Sequence, residues 1–390
     1  MTSLPLSVVK QTNSSITVSW TPPSNCEGFE FLRDSKRISN TWDPTESRIT
    51  FSIPDSNPHT FEVRALNVLA NGSITVNQPT PPPPPDPTPS SVWWVGPQPP
   101  STAIPSIPSG TSQITSPSDL KAVCASGGRG GTYVVVGFTY TGNLDIGNRN
   151  GLTLFFDPSW KLVGPGGSSN PAVGVHGAGL KLYGGDISNP QGGSGTSGGD
   201  GVKAYVGSAD SADVSFLWHG LKIHDVAAQG FSCQASNHSI NVDVEVEVTR
   251  WGLNTSLDPH AIKGTGLHGA YIGGGTTPTT GSFIFFNHDG ATGAAVQAGA
   301  NLQNATVWIS ASNLSWTKDS LAGNGFQPWG SNNKNVVVKS LLVNGAQTAL
   351  FTESLTGGSV KVEYSRYKNV RLNPAIQTNS HLTLGDVSPA

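Results

Sequence analysis

Between positions 219 and 271 the chain gathers His219, His224, His260 and His268 with Asp225, Arg250, Trp251, Asp258, Lys263 and Tyr271, and His288 and Asp289 follow shortly after. These are residue types that move protons. Lys263 or His260 suits removal of a proton by a general base, and the carboxylates Asp258 and Asp289 suit acid–base work by a pair of acids. Binding asks less of the same stretch. Trp251, Tyr271, Trp316 and Trp329 offer flat rings for stacking, and Arg250 and His268 offer polar partners beside them. A metal centre is not expected. His219 and His224 lie five apart and His260 and His268 eight apart, neither of which is a helical ligand spacing, and strand alternation would put His219 and His224 on opposite faces. Cys26, Cys124 and Cys233 are isolated, with no CxxC, and no calcium-loop motif or cofactor-binding motif appears.

The elements that must position these groups are strands. With 47 Gly, 12% charged residues and a single Met, the composition lacks the surplus of helix formers, and almost no helix is expected. From about 111 onward, alternating stretches recur: "VSFLWHGLKIHDV", "HSINVDVEVEVTRW", "GSFIFFNHDG", "NATVWISASNLSW", "KNVVVKSLLVNG" and "GSVKVEYSRYKNV". Starts placed at Val214, Ile240, Phe283, Thr306, Val336 and Val360 are separated by 26, 43, 23, 30 and 24 residues. A period in the twenties marks a solenoid whose coils each stack a strand on the one before. The single long step, 240 to 283, holds most of the chemical residues and predicts a loop leaving the stack there.

Upstream the pattern differs. Ile16–Trp20, Phe29–Asp34 and Phe61–Ala65 alternate between Pro, Gly, Asn and Asp turns, as in a small antiparallel sandwich over residues 1–78. Residues 79–110 are proline-rich and favour extended polyproline II, a semi-rigid spacer before a solenoid over 111–390. Pro-rich residues 93–115 are expected to cap the solenoid's N-terminal end, since an open edge invites pairing with another chain.

Bulk properties exclude some functions. A net charge of -3 with no Lys/Arg cluster gives no footprint for nucleic acid, and no apolar run is long enough to cross a membrane or to serve as a secretion signal. Synthesis in a cytoplasm without a signal peptide is the expectation.

The strand segments around Trp20, "GFEFLRDSKRIS" and "HTFEVRALN" resemble the fibronectin type III module, with Phe61, Val63 and Ala65 inward. His59 stands where that family places its corner tyrosine. "GTYVVVGFTYTGNLDIGNRNGLTLFFDPSWKLVG" and the coils after it resemble the pectate-lyase-like right-handed parallel β-helix. The fold class expected is therefore all-β: an N-terminal fibronectin-III-like sandwich, a Pro-rich connector and a right-handed parallel β-helix. That module order is similar to the minor tail proteins and tailspikes of bacteriophages infecting actinobacteria. The resemblance implies a virion tail subunit whose β-helix binds host cell-surface polysaccharide while the sandwich docks to other tail proteins. It also implies the homotrimer common among tailspikes, though no coiled-coil heptad here requires one. Non-enzymatic binding is the reading adopted. A polysaccharide lyase using Lys263 or His260, or a glycoside hydrolase using Asp258 and Asp289, is the alternative, and a purely structural subunit the second.

Overall fold

A computed structural model describes residues 2–11, 15–52, 58–68, 70–76, 95–165, 171–190, 199–206, 212–252, 268–290, 293–314, 323–352, 355–372 and 375–390. The chain separates into two compact units, Met1–Pro89 and Ser90–Ala390.

The first unit is a sandwich of a five-stranded and a three-stranded sheet. Ile16, Val18 and Phe51 from one sheet meet Phe29, Phe31, Phe61 and Val63 from the other in a single core. Trp20 packs edge-on to Phe29 with centroids 5.1 Å apart. At the corner, His59 takes the place of a tyrosine hydroxyl: its Nδ1 lies 2.7 Å from Asp34 Oδ2, and the Thr60 N–H donates to the other Asp34 oxygen. The hydrogen bond with His59 holds the Asp34 carboxyl below its ordinary range.

In the second unit every strand pairing is parallel, and each coil adds a rung to two long sheets. The larger sheet runs from Ser112–Ile114 through Gly131–Val135, Leu152–Phe156, Leu180–Tyr183, Val214–Val226, Ile240–Thr249, Thr279–His288, Leu302–Ser312, Asn333–Ala346 and Gly358–Val370 to Leu382–Pro389. A second, eight-stranded sheet begins at Leu144–Ile146 and ends at Thr348–Leu350. Early coils carry a third short strand: Thr139–Thr141, Lys161–Val163 and Asp186–Asn189 stack on one another. The 13-residue strand Val214–Val226 then pairs with both Leu180–Tyr183 and Asp186–Asn189, merging two sides of the coil into one.

The merger needs a bulge. Register slips between Trp218 and Leu221, and Gly220 sits there at φ 70°, a conformation glycine enters without penalty. The extra residue resets the alternation, so Trp218, Leu221 and Ile223 all enter the core. His219 and His224 consequently both face outward, which corrects the opposite-face expectation.

The expected starts at Val214 and Ile240 coincide with strand starts, whereas the later strands begin two to four residues before Phe283, Thr306, Val336 and Val360. Ile240 pairs with Thr279, making the long step 39 residues. The N-terminal end is closed differently from the expectation. Ser112–Ile114 adds one strand, and a short helix, Pro117–Cys124, covers the first coil with Leu120 and Cys124 fully buried. Ser116 caps that helix by accepting the Asp119 N–H, with Pro at the following position where a missing donor costs nothing.

Candidate functional site: a polar ladder on the long sheet

Where each long strand leaves the larger sheet, the last outward residue is polar and the next turns the corner. Register places His224, Thr249, His288, Ser312, Asn344 and Lys368 in one row. The residues after them, Asp225, Arg250, Asp289, Asn313, Gly345 and Asn369, all have φ between 51° and 76°. Left-handed backbone is what Asn, Asp and Gly tolerate best, which explains five of the six. Arg250 is the exception, and its side chain is tied down. Successive steps are one strand spacing apart, ~4.8 Å, so the six span ~24 Å along the axis.

Side chains link the steps. Lys161 Nζ lies 3.5 Å from Asp186 Oδ2, and Asp186 Oδ1 lies 2.7 Å from His224 Nε2. His224 Nδ1 lies 2.7 Å from Asp225 Oδ2, and Arg250 donates to both Asp225 oxygens. Further along, His288 Nδ1 is 2.6 Å from Ser312 Oγ, Asn313 donates to Asp289 at 3.2 Å, and Asn369 donates to Asn344 at 2.7 Å.

The chemistry of the charged end follows from its partners. Both nitrogens of His224 face carboxylates, which only accept, so both must carry protons and the ring is a cation. The hydrogen bonds with Asp186 and then Asp225 raise it to about 9. Asp225, against the opposing effect of its own burial, is held well below the carboxylate range by Arg250 and His224. Neither group takes up or gives up a proton near neutral pH. The cluster is a fixed array of charges and donors, suited to holding a polar ligand and unsuited to general-base catalysis. His288 is pushed down by burial and stays neutral.

Of the residues singled out from the sequence, His224, Asp225, Arg250, His288 and Asp289 stand on this ladder. Lys263, His260 and Asp258 lie outside the described residues, as do Trp316 and the rest of 253–267; the remainder of the expected 240–283 loop is mostly strand, in Ile240–Thr249, Ala270–Gly275 and the start of Thr279–His288. Trp251 is not available for stacking: it is fully buried, its ring packed where any Cβ on Gly290 would lie 2.2 Å away. His268 is also buried, its Nδ1 accepting the Ala294 N–H, and burial pushes it down to about 4. Tyr271 faces outward from the other sheet, half-buried, its hydroxyl end against Gly274 and Gly299. Trp329 is 38% exposed and follows a strand of that same sheet, Asn324–Pro328. These four therefore do not converge with Arg250. The ladder itself went unread, although the tails "KIHDV", "EVTRW", "FNHDG", "SASNL", "VNGA" and "YKNV" align it once the strands are matched from their ends.

No family model matches the chain, and no curated protein matches it. Among solved structures it is similar to an alginate lyase from Paenibacillus sp. str. FPU-7, at 14% identity over 71% of this chain and 98% of that one, with a TM-score of 0.38. A likeness at that level bears on neither activity nor ligand.

Proposed function

We propose that this protein binds an extended polysaccharide along the outer face of its β-helix, without cleaving it, as a host-surface-binding subunit of a bacteriophage tail. The observation that carries the reading is the polar ladder: six successive coils present hydrogen-bonding groups at a repeat close to the length of one sugar ring in an extended chain. A stiff solenoid keeps that repeat in register, so each sugar meets the same kind of contact and ordering costs are low. The charged end adds cations already fixed by their counter-ions, which favours carboxylate- or sulfate-bearing sugars without proton transfer. The tail context rests on module order alone, a fibronectin-III-like sandwich preceding a Pro-rich connector and a β-helix.

The test is to incubate the purified chain with cell-wall polysaccharide from actinobacterial hosts. Retention by the glycan with no rise in unsaturated-uronate absorbance or reducing ends is expected, and Arg250→Ala should weaken retention about tenfold, one or two lost charge-assisted contacts. Release of either product would establish the lyase or hydrolase alternative. Retention unchanged by Arg250→Ala and His288→Ala together would remove the ladder from the account.

A further inference from the structure

A second row runs parallel to the ladder, near the middle of the same outer face. Register aligns Val134, Phe155, Tyr183 and His219. After Glu245, the row continues through Ile284, Trp308 and Ser340 to Tyr364. Outward residues of a surface sheet should be exposed, yet Val134, Phe155, Tyr183, His219, Ile284, Trp308 and Ser340 are all at most 9% exposed. Each is flanked along its strand by at least one residue that already points into the core.

The Pro-rich connector lies on this row. Gly96, at φ 94°, rests on Tyr364, where an added Cβ would meet the ring at 2.5 Å. Thr102 donates to Glu245. Ile104 reaches the bulge, its Cδ1 3.0 Å from where a Cβ on Gly220 would stand. From Gly96 to Thr102 the connector advances six residues while crossing four strand spacings, ~19 Å. Six residues of polyproline II advance ~19 Å as well. A straight path between those two contacts would take Pro97, Pro99 and Pro100 over Ser340, Trp308 and Ile284.

That cover fits in shape and fails in polarity. Among the described residues, Trp308 Nε1, Ser340 Oγ and His219 Nε2 are buried with no hydrogen-bond partner. Asp243 Oδ1 lies 3.3 Å from His219 Nε2 but out of line for a hydrogen bond. None of the carbonyls of residues 95–104 is placed to accept from the Trp308 Nε1–H, and a buried donor left unmet costs free energy that a hydroxyl-bearing occupant would recover. We infer that this row is a binding track for an extended, hydroxyl-rich polymer, and that residues 95–104 occupy it in cis as a removable cover. It rests on the polysaccharide reading above and adds to it a competition between the connector and the ligand. The aromatic rings would stack on sugar faces, and the unmet Trp308, Ser340 and His219 groups would meet hydroxyls.

The experiment uses the full chain with Gly96→Val, which drives a side chain into Tyr364, and independently Thr102→Val, which removes the tie to Glu245. Hydroxyl-radical footprinting should show Trp308 and Tyr364 oxidised several-fold faster in the variants than in the wild type. Affinity electrophoresis in gels containing xylan, dextran, alginate or arabinogalactan should show about tenfold tighter retention by at least one of them, abolished by adding Trp308→Ala. Footprints unchanged in both variants would overturn the removable cover. Trp308 freed with no gain over a wild type that itself binds would overturn the track while leaving the polysaccharide reading intact. No retention by any form, covered or uncovered, would sink both.

Discussion

At the scale of single residues, Asp200 shows what burial does to an acid with few partners. It is 5% exposed and accepts one backbone N–H from Gln229, too little to offset desolvation, and burial pushes its carboxyl up to about 6. A raised acid favours the folded state in its neutral form, so its contribution is complete below about pH 4 and is lost as pH rises through 6. The loss amounts to about 3 kcal/mol for some two pH units. Asp200→Asn keeps the accepting oxygen, and denaturant unfolding from pH 4 to 8 should show that this part of the pH dependence disappears. Identical pH profiles in both forms would mean that Asp200 ionises at no cost. His268 works in the opposite sense: pushed down to about 4, it withdraws stability as pH falls below 6.5, so only a comparison of variants isolates either group. His224, raised to about 9, favours folding below its unfolded pKa and withdraws that contribution as pH rises through 9. The thiols contribute nothing here, because burial drives Cys124 up to about 12 and Cys233 higher still.

At the scale of elements, each coil is strand, corner, strand, and the corner is set by one left-handed residue. Asn313, exposed at φ 53°, shows what such a residue is for. Asn313→Ala should cost about 1 kcal/mol and Asn313→Gly almost nothing, because the cost lies in the backbone and not in the single bond to Asp289. Thermal unfolding of the two variants decides it: equal losses would locate the effect in the side chain. How much of this was legible in sequence depends on which end of the strand is read. The starts of the coils vary, since strands of the larger sheet lengthen from five residues at Gly131–Val135 to 14 at Asn333–Ala346, and period estimates drawn from starts drift accordingly. The ends do not vary, because the corner geometry recurs. The bulge at Gly220 hid the placement of His219 and His224, since strict alternation has no way to count an extra residue.

At the scale of the whole molecule, the second unit is a stack in which each coil touches chiefly its neighbours, with a cap at one end. Leu120 and Cys124 close the core at the helix Pro117–Cys124. Leu120→Ala should cost about 2–4 kcal/mol, expressed locally: hydrogen exchange should accelerate in Gly131–Val135 and leave Gly358–Val370 unchanged. Uniform acceleration would show instead that the stack opens as one cooperative unit.

The sequence by itself determined the all-β class, the sandwich core around Trp20, Phe29 and Phe61, and the change to a stacked parallel solenoid. Each of those follows from side-chain periodicity and turn residues, which are local properties. Tertiary structure alone decided which of the chemical residues share a surface. Trp251 and His268 have the composition of a binding site but sit where a coil closes on its core, while Asp186, His224, Asp225 and Arg250, up to 64 positions apart, meet because parallel stacking places successive corners ~4.8 Å apart. It decided the connector's role as well. A run of prolines announces an extended chain, but only the row of Tyr364, Trp308 and Tyr183 shows what that chain lies upon, because the contact is made between segments with no local relation in sequence.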